Sequence, residues 1–399
     1  MISDQKIILF GDSDWWYGNP SSNMRLLRNM AKSGNDCLYI NPIPMRMPKM
    51  GRSGSWRRYR NKLRSVLRYF KKADERIWVF SPIFIPGDNR HINQAFNSVL
   101  FTAQMKLLLK LLGWIEQEII IIAATPTAGL VIPGMRRKVL YYQICDKFDK
   151  YRDITNQKRI SELENLVIQQ ADFIITVSRK LHRHYKSFGK PCYYVPHGVD
   201  LNLFQQAMNE KSVLPPDLQN IDHPIIGYFG SITESNDKSI LSHIAKNKPN
   251  WNIILIGEVI SDYSSLKKFP NIHFLGKKKL EELPAYGKHF DVCIMNWIMS
   301  EWMQYCNPLK VKEYLAMGKP VVSVPIPEVT DTLGDVVSIA STPHEFLEKV
   351  EWELQNDNPE RIRARLKKVA NENWENKVEE ICNLLENFLQ ENNSGRQSL

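Results

Sequence analysis

The chain has 399 residues, 43% of them hydrophobic, and a formal net charge of +10. That length accommodates two domains of ordinary size, each with its own core. No uninterrupted apolar run of about 18 residues occurs, and the start MISDQKIILFGD lacks the regions of a signal peptide, so a cytoplasmic location is expected rather than a membrane-spanning or secreted one.

In chain order, short β-branched runs alternate with helical patterns, which is the signature of βαβ units and parallel sheets. The first half offers the strands KIILF, DCLYI, RIWVF, EIIIIAA, KVLYYQI, DFIITV and CYYVP, with helices such as SSNMRLLRNMAKSG and NQAFNSVLFTAQMKLLLKLLG between them. After CYYVPHGVDLNLF the alternation lapses for about twenty residues, and the turn-rich PPDLQNIDHP marks a domain boundary. It resumes with PIIGYFG, NIILIGEV, NIHFLG, DVCIMNW, PVVSVPI and VVSIA. From His344 onward only helices are expected, before a polar tail. Two doubly wound α/β domains in tandem account for this order. Six cysteines with no CxxC pair support neither a zinc site nor a disulfide framework.

The charge is concentrated. Between Ile43 and Ala73 lie eleven Arg or Lys residues and no Asp or Glu, so the rest of the chain sums to about −1. Within it, Trp56, Tyr59, Leu63, Val66, Leu67 and Phe70 recur at spacings of 3 and 4, which predicts one apolar helical face among cations over residues 56–72. Such a face either packs on the first domain or lies on an anionic membrane surface.

Chemistry is concentrated in NPLKVKEYLAMGKPVVSVPIPEV, residues 307–329. Asn307 suits an N-cap and Pro308 position N1, with Gly318 and Pro320 closing the helix. Lys310 then falls at the third helical position and Glu313 one turn on, at the carboxyl edge of a sheet. Amide groups, the helix dipole and an ammonium there suit a diphosphate, and a carboxylate about 5 Å farther along suits a ribose diol. The same spacing equally fits a capped helix with a solvent-facing Lys and Glu pair. PIIGYFGSITESNDKS shifts the balance, because Gly227, Gly230 and the small Ser231 let a ligand approach the backbone of the first turn of the second domain.

The ordered set GYFGSI, WNIILIGE, NIHFLGKKKLEELPAY, FDVCIMNW and NPLKVKEYLAMGKPVVSVPIPEV resembles the donor-binding half of GT-B glycosyltransferases. The resemblance is closest to bacterial enzymes of the teichuronic-acid and xanthan glucuronosyltransferase type, which build surface polysaccharides. In the first half DWW, YYQICDKF, ADFIITVSRKL and VPHGVDLNLF agree with it, as does the ENW near the end. It implies two Rossmann-like domains facing across a cleft: 1–205 for the acceptor, 222–375 for the nucleotide sugar, a helix 376–391 returning to the first domain, and a disordered tail 392–399. It also implies that Lys310 contacts the donor diphosphate, that Glu313 holds the ribose, that Gly230 and Ser231 underlie the phosphates, and that the base rests near the NIHFLG strand end. The donor is a nucleotide diphosphate sugar, with UDP the expected nucleotide, and neither a cofactor nor a metal is expected. Where many retaining members carry a second glutamate eight residues before the ribose one, this chain has Tyr305, which points to inversion.

Inverting transfer needs a base for the acceptor hydroxyl. Asp146, just past KVLYYQI, is the candidate, with Asp149 beyond it. Asp12 and Asp14 of GDSDWW are rivals at a comparable strand end, and their DxD spacing is read as a loop feature rather than a metal site. Asp146 could also merely cap a turn. His197 reads as a structural strand-end histidine, and Glu328 as a cap or a sugar contact. The expected function is transfer of a sugar to a hydroxyl of a glycan or lipid-linked glycan, at the inner face of the membrane if the basic helix docks there. The alternatives are a sugar-nucleotide epimerase on the same double fold and, from the basic segment, a nucleic-acid-binding protein, although nucleic acid is not the expected partner.

Overall fold

The computed structural model describes residues 2–18, 21–43, 55–85, 91–150, 157–208 and 213–397. The chain divides into two units, Met1–Pro196 with Lys377–Leu399, and His197–Asn376.

The first unit holds strands β1 (Lys6–Phe10), β2 (Asp36–Ile40), β3 (Phe70–Asp74), β4 (Ile77–Phe80), β5 (Ile119–Ala123), β6 (Val139–Ile144), β7 (Phe173–Thr176) and β8 (Cys192–Tyr194). Their order in the sheet is β3-β4-β2-β1-β5-β6-β7-β8. Every pairing is parallel except that of β3 with β4. β5 and β6 are buried along their whole length, as strands covered on both faces must be, which is why they read as IIIIA and VLYYQI rather than as alternating patterns. The last helix, Trp374–Gln397, sets Val378, Ile381, Cys382 and Leu385 into this unit's core at helical spacing.

Two expectations are corrected here. The basic helix spans Ser55–Leu67 and stops short, because Tyr69 takes a φ of 35° and turns the chain into β3; Phe70, Lys71 and Lys72 therefore lie on an edge strand. Part of the tail expected to be disordered, 392–397, continues the last helix.

The second unit holds β9 (Ile225–Phe229), β10 (Asn252–Ile256), β11 (Ile272–Gly276), β12 (Val292–Met295), β13 (Val321–Ser323) and β14 (Ser338–Ile339), all parallel, in the order β11-β10-β9-β12-β13-β14. Strand order reverses between β9 and β12, the position where open α/β sheets bind ligands beyond their carboxyl ends. The unit starts at His197, earlier than the turn-rich stretch suggested. Val199 pairs with Asn373, and Phe204 stacks on Phe229 at 6.0 Å, so the VPHGVDLNLF segment belongs to the second core.

Candidate functional site

The helix after β12 spans Leu309–Ala316, with Pro308 at its N-cap. Lys310 is thus the second helical residue rather than the third. Val311, Tyr314 and Leu315 enter the core, and the Tyr314 hydroxyl accepts a hydrogen bond from the Phe229 amide at 3.0 Å. That bond, with ring packing at 4.6 Å, fixes the helix against the end of β9.

This anchoring brings Lys310 over the glycine turn. A Cβ on Gly230, whose φ is +134°, would lie 2.0 Å from Lys310 Cε and 2.8 Å from Nζ, so the turn and the lysine fit only because position 230 has no side chain. The ammonium lies 5.2 Å from the Trp297 ring and 5.8 Å from the Tyr228 ring. Among the described residues it makes no ion pair, which leaves its charge available to an anion. Gly230→Ala should cost about 1 to 2 kcal/mol of stability and displace Lys310, lowering nucleotide affinity; denaturant melts and nucleotide titration check both.

Further residues shape the turn. A Cβ on Gly257, at the end of β10, would lie 1.9 Å from the Gly230 carbonyl oxygen, so two strand ends meet backbone to backbone. Asn296 is fully buried after β12; it accepts from Asn236 Nδ2 at 3.3 Å and donates to the Asp237 carbonyl at 3.1 Å, pinning the far end of the loop that begins at Gly230. Ser231 takes part through its carbonyl, which accepts from the Tyr228 hydroxyl at 3.3 Å. Neither Gly257 nor Asn296 was singled out in the sequence. The IG of NIILIGE was the available signal for the first, while an asparagine after a strand offers none for the second.

Glu313 is only 6% exposed, where a solvent-facing carboxylate was expected. The reason is the depth at which Tyr314 and Val311 seat the helix. Lys312 is buried as well: its ammonium donates to the His197 carbonyl at 2.6 Å and to the Glu372 carboxylate at 2.6 Å, tying the unit's first residue to the ENW segment. His197 is itself buried and packs 6.3 Å from the Trp374 ring, consistent with a structural role. Glu328 is buried in the first turn of the Pro327–Leu333 helix, where a carboxylate favours the dipole.

In the first unit, Asp146 is the second residue past the end of β6, with Cys145 between them, and is part-buried. The chain just past it is held by a buried network: the Lys147 ammonium lies 3.0 Å from Asp149 and 3.4 Å from Glu164, and Glu164 accepts from the Tyr142 hydroxyl at 3.0 Å and from Tyr185 at 2.6 Å. Asp149 is thereby an ion-pair partner of Lys147.

The GDSDWW loop is a turn built on its own carboxylates. Asp14 Oδ1 accepts from the amides of Trp16 and Tyr17 at 3.0 and 3.1 Å, and Asp12 accepts from the Ser21 hydroxyl at 2.9 Å. The Asp12 carboxyl is reachable by solvent yet hemmed in by protein atoms, and this desolvation raises its pKa against the lowering effect of its hydrogen bonds to Asn23 and Ser21. Burial, followed by the charges of Asp12 and Asp146, pushes the Cys145 thiol well up. Among the described residues no group of three or more His, Cys, Asp or Glu side chains is placed to hold a metal ion.

Two doubly wound units, with a glycine turn and a lysine at the switch point of the second, define the GT-B fold. Residues 223–356 match the family Glycosyl transferases group 1. Over 182 residues the chain is 29% identical to a Bacillus subtilis (strain 168) protein named for teichuronic acid biosynthesis, the glycosyltransferase TuaH, a match covering 44% of this chain and 45% of that protein, so it spans less than half the length of that relative. Similar solved structures include sucrose-phosphate synthase from Thermosynechococcus elongatus, with a TM-score of 0.70 at 15% identity over 97% of this chain and 99% of that one. Another is the Anabaena protein HepE in complex with UDP and glucose, with a TM-score of 0.64 at 13% identity over 96% and 99%.

Proposed function

We propose that the protein is a glycosyltransferase of the hexosyl- or glucuronosyltransferase type, moving a sugar from a UDP-linked donor to a hydroxyl of a glycan or lipid-linked glycan in surface polysaccharide synthesis. The observation that carries this is Lys310 lying over Gly230 at the switch point of the unit that matches the group 1 glycosyl transferases. The second unit takes the nucleotide sugar and the first the acceptor. The UDP and glucose held by the Anabaena neighbour and the name of the Bacillus relative support donor and pathway class.

In this reading the bond between the anomeric carbon and the diphosphate oxygen breaks as the acceptor oxygen bonds to that carbon, and Asp146 takes the hydroxyl proton. Lys310 and the first amides of the 309–316 helix meet the charge that grows on the departing diphosphate, so turnover proceeds without a metal and persists in chelator. Glu313 accepts the ribose hydroxyls, and the loop at Gly230 and Ser231 supports the phosphates.

A thermal-shift series over UDP, GDP and ADP sugars tests the reading. A nucleotide at 100 times its dissociation constant adds about 2.7 kcal/mol to stability, a readily measured rise in Tm. A flat series across all of them removes the proposal, and turnover of donor without acceptor would replace transfer by epimerisation.

A further inference from the structure

The Ser55–Leu67 helix is seated inside out. Its polar side faces the protein: Ser65 is fully buried, with its hydroxyl 3.1 Å from the Ser81 hydroxyl and 3.1 Å from Asn41 Nδ2, and the half-buried Lys62 donates to the Pro42 carbonyl at 2.9 Å. Its apolar side faces solvent, with Trp56 74%, Leu63 54% and Leu67 76% exposed and Tyr59 beside them. A helix that only completed a core would be oriented the other way.

A second helix, His91–Leu111, repeats the pattern. Phe101 and Leu108 are buried, while Phe96, Val99, Leu107 and Leu111 are exposed along the other side. The segment between them connects the two: Ser81 meets Ser65 of the first helix, and Ile83 exchanges hydrogen bonds with Gln104 of the second, at 3.0 Å each way. Ile83 and Ile85 of that segment are exposed as well.

We propose that this surface of the first unit docks on an anionic lipid bilayer. The charge around the apolar stripes is of one sign. Arg60 and Arg64 are exposed beside the first and Lys106 and Lys110 beside the second, none of them in an ion pair among the described residues. Neither helix contains an Asp or Glu. Leucine, valine and isoleucine at such exposure gain little from a nucleic-acid backbone, whereas in a headgroup boundary each buries its hydrocarbon beneath the flanking cations. A second copy of the chain would bring cation against cation. The surface deepens the proposed transfer by placing the enzyme where a lipid-linked acceptor resides, but vesicle binding is read without turnover, so its failure leaves the donor site untouched.

The test is flotation of the full chain with phosphatidylcholine vesicles, with and without phosphatidylglycerol, at low and high salt. Binding is expected only to the anionic vesicles, weakening with salt. Arg60→Ala with Arg64→Ala should lower it about 30-fold, near fivefold per lost basic residue. Leu63→Ser with Leu67→Ser should abolish it at all salt concentrations, with Tm and nucleotide-induced stabilisation retained. Absence of the full chain from anionic vesicles at low salt overturns the proposal. So does unchanged flotation of the Leu63→Ser, Leu67→Ser chain, or a dimer in sedimentation that this pair of substitutions splits.

Discussion

Lys310→Ala should weaken binding of a nucleotide diphosphate by about 1.5 to 3 kcal/mol, roughly 10- to 150-fold, the range for hydrogen bonds to a charged group. The fold should pay far less. Among the described residues the ammonium lies over the faces of Trp297 and Tyr228, contacts worth about 0.5 to 1 kcal/mol at a part-exposed site. Affinity and stability therefore separate in this variant, and calorimetric titration with UDP beside a denaturant melt reads both. Glu313→Gln is the matching change at the proposed ribose contact. Because Glu313 is buried, truncation to alanine would open a cavity, whereas glutamine keeps the volume and removes the charge. It should lower affinity for UDP more than for inorganic pyrophosphate, which has no ribose. Folded variants at both positions that bind UDP as the natural chain does would show that the helix start is only a capped helix.

Most of the architecture was legible because its signals are local. Most of the expected strands are short runs dominated by apolar or β-branched residues, and parallel strands buried on both faces announce themselves in this way. β3 was missed because FKKAD has little of that character: it pairs only at the sheet edge, antiparallel to β4, with its lysines in solvent. The approach of Gly230 to Lys310 was half legible. Their spacing from strand ends suggested one sheet edge, but that a Cβ at 230 would strike the lysine stem is a fact of three dimensions. Burial of Glu313 was illegible for a related reason, since the depth of its helix is set by Tyr314 and Phe229, 85 residues apart. The inside-out helix is the converse case. Its periodicity was visible, and only the position of Ser65 against Asn41 and Ser81 decides which side faces in.

Asp146→Asn should reduce turnover about 100-fold or more while leaving donor affinity nearly unchanged, because the amide keeps the shape of the side chain and removes its basicity. Asp146 lies two residues past the end of β6, and the following residue, Lys147, is locked by Glu164 and Asp149, which holds the turn that carries it. Asp12 is the rival with an electrostatic argument of its own. Desolvation raises its pKa, and a carboxylate raised toward neutrality is a stronger base than an ordinary one. The two are separable by more than loss of activity. A base must be unprotonated to act, so kcat falls as pH drops through its pKa, and an acid limb displaced above the usual carboxylate range is the mark of Asp12. If that limb is displaced and Asp12→Asn removes turnover while Asp146→Asn transfers sugar at near the natural rate, the proton leaves through the loop after β1 rather than the turn after β6. Asp14→Asn serves as the control, because that carboxylate is engaged by the amides of Trp16 and Tyr17 and its loss should disturb the loop and its stability before it alters the acid limb.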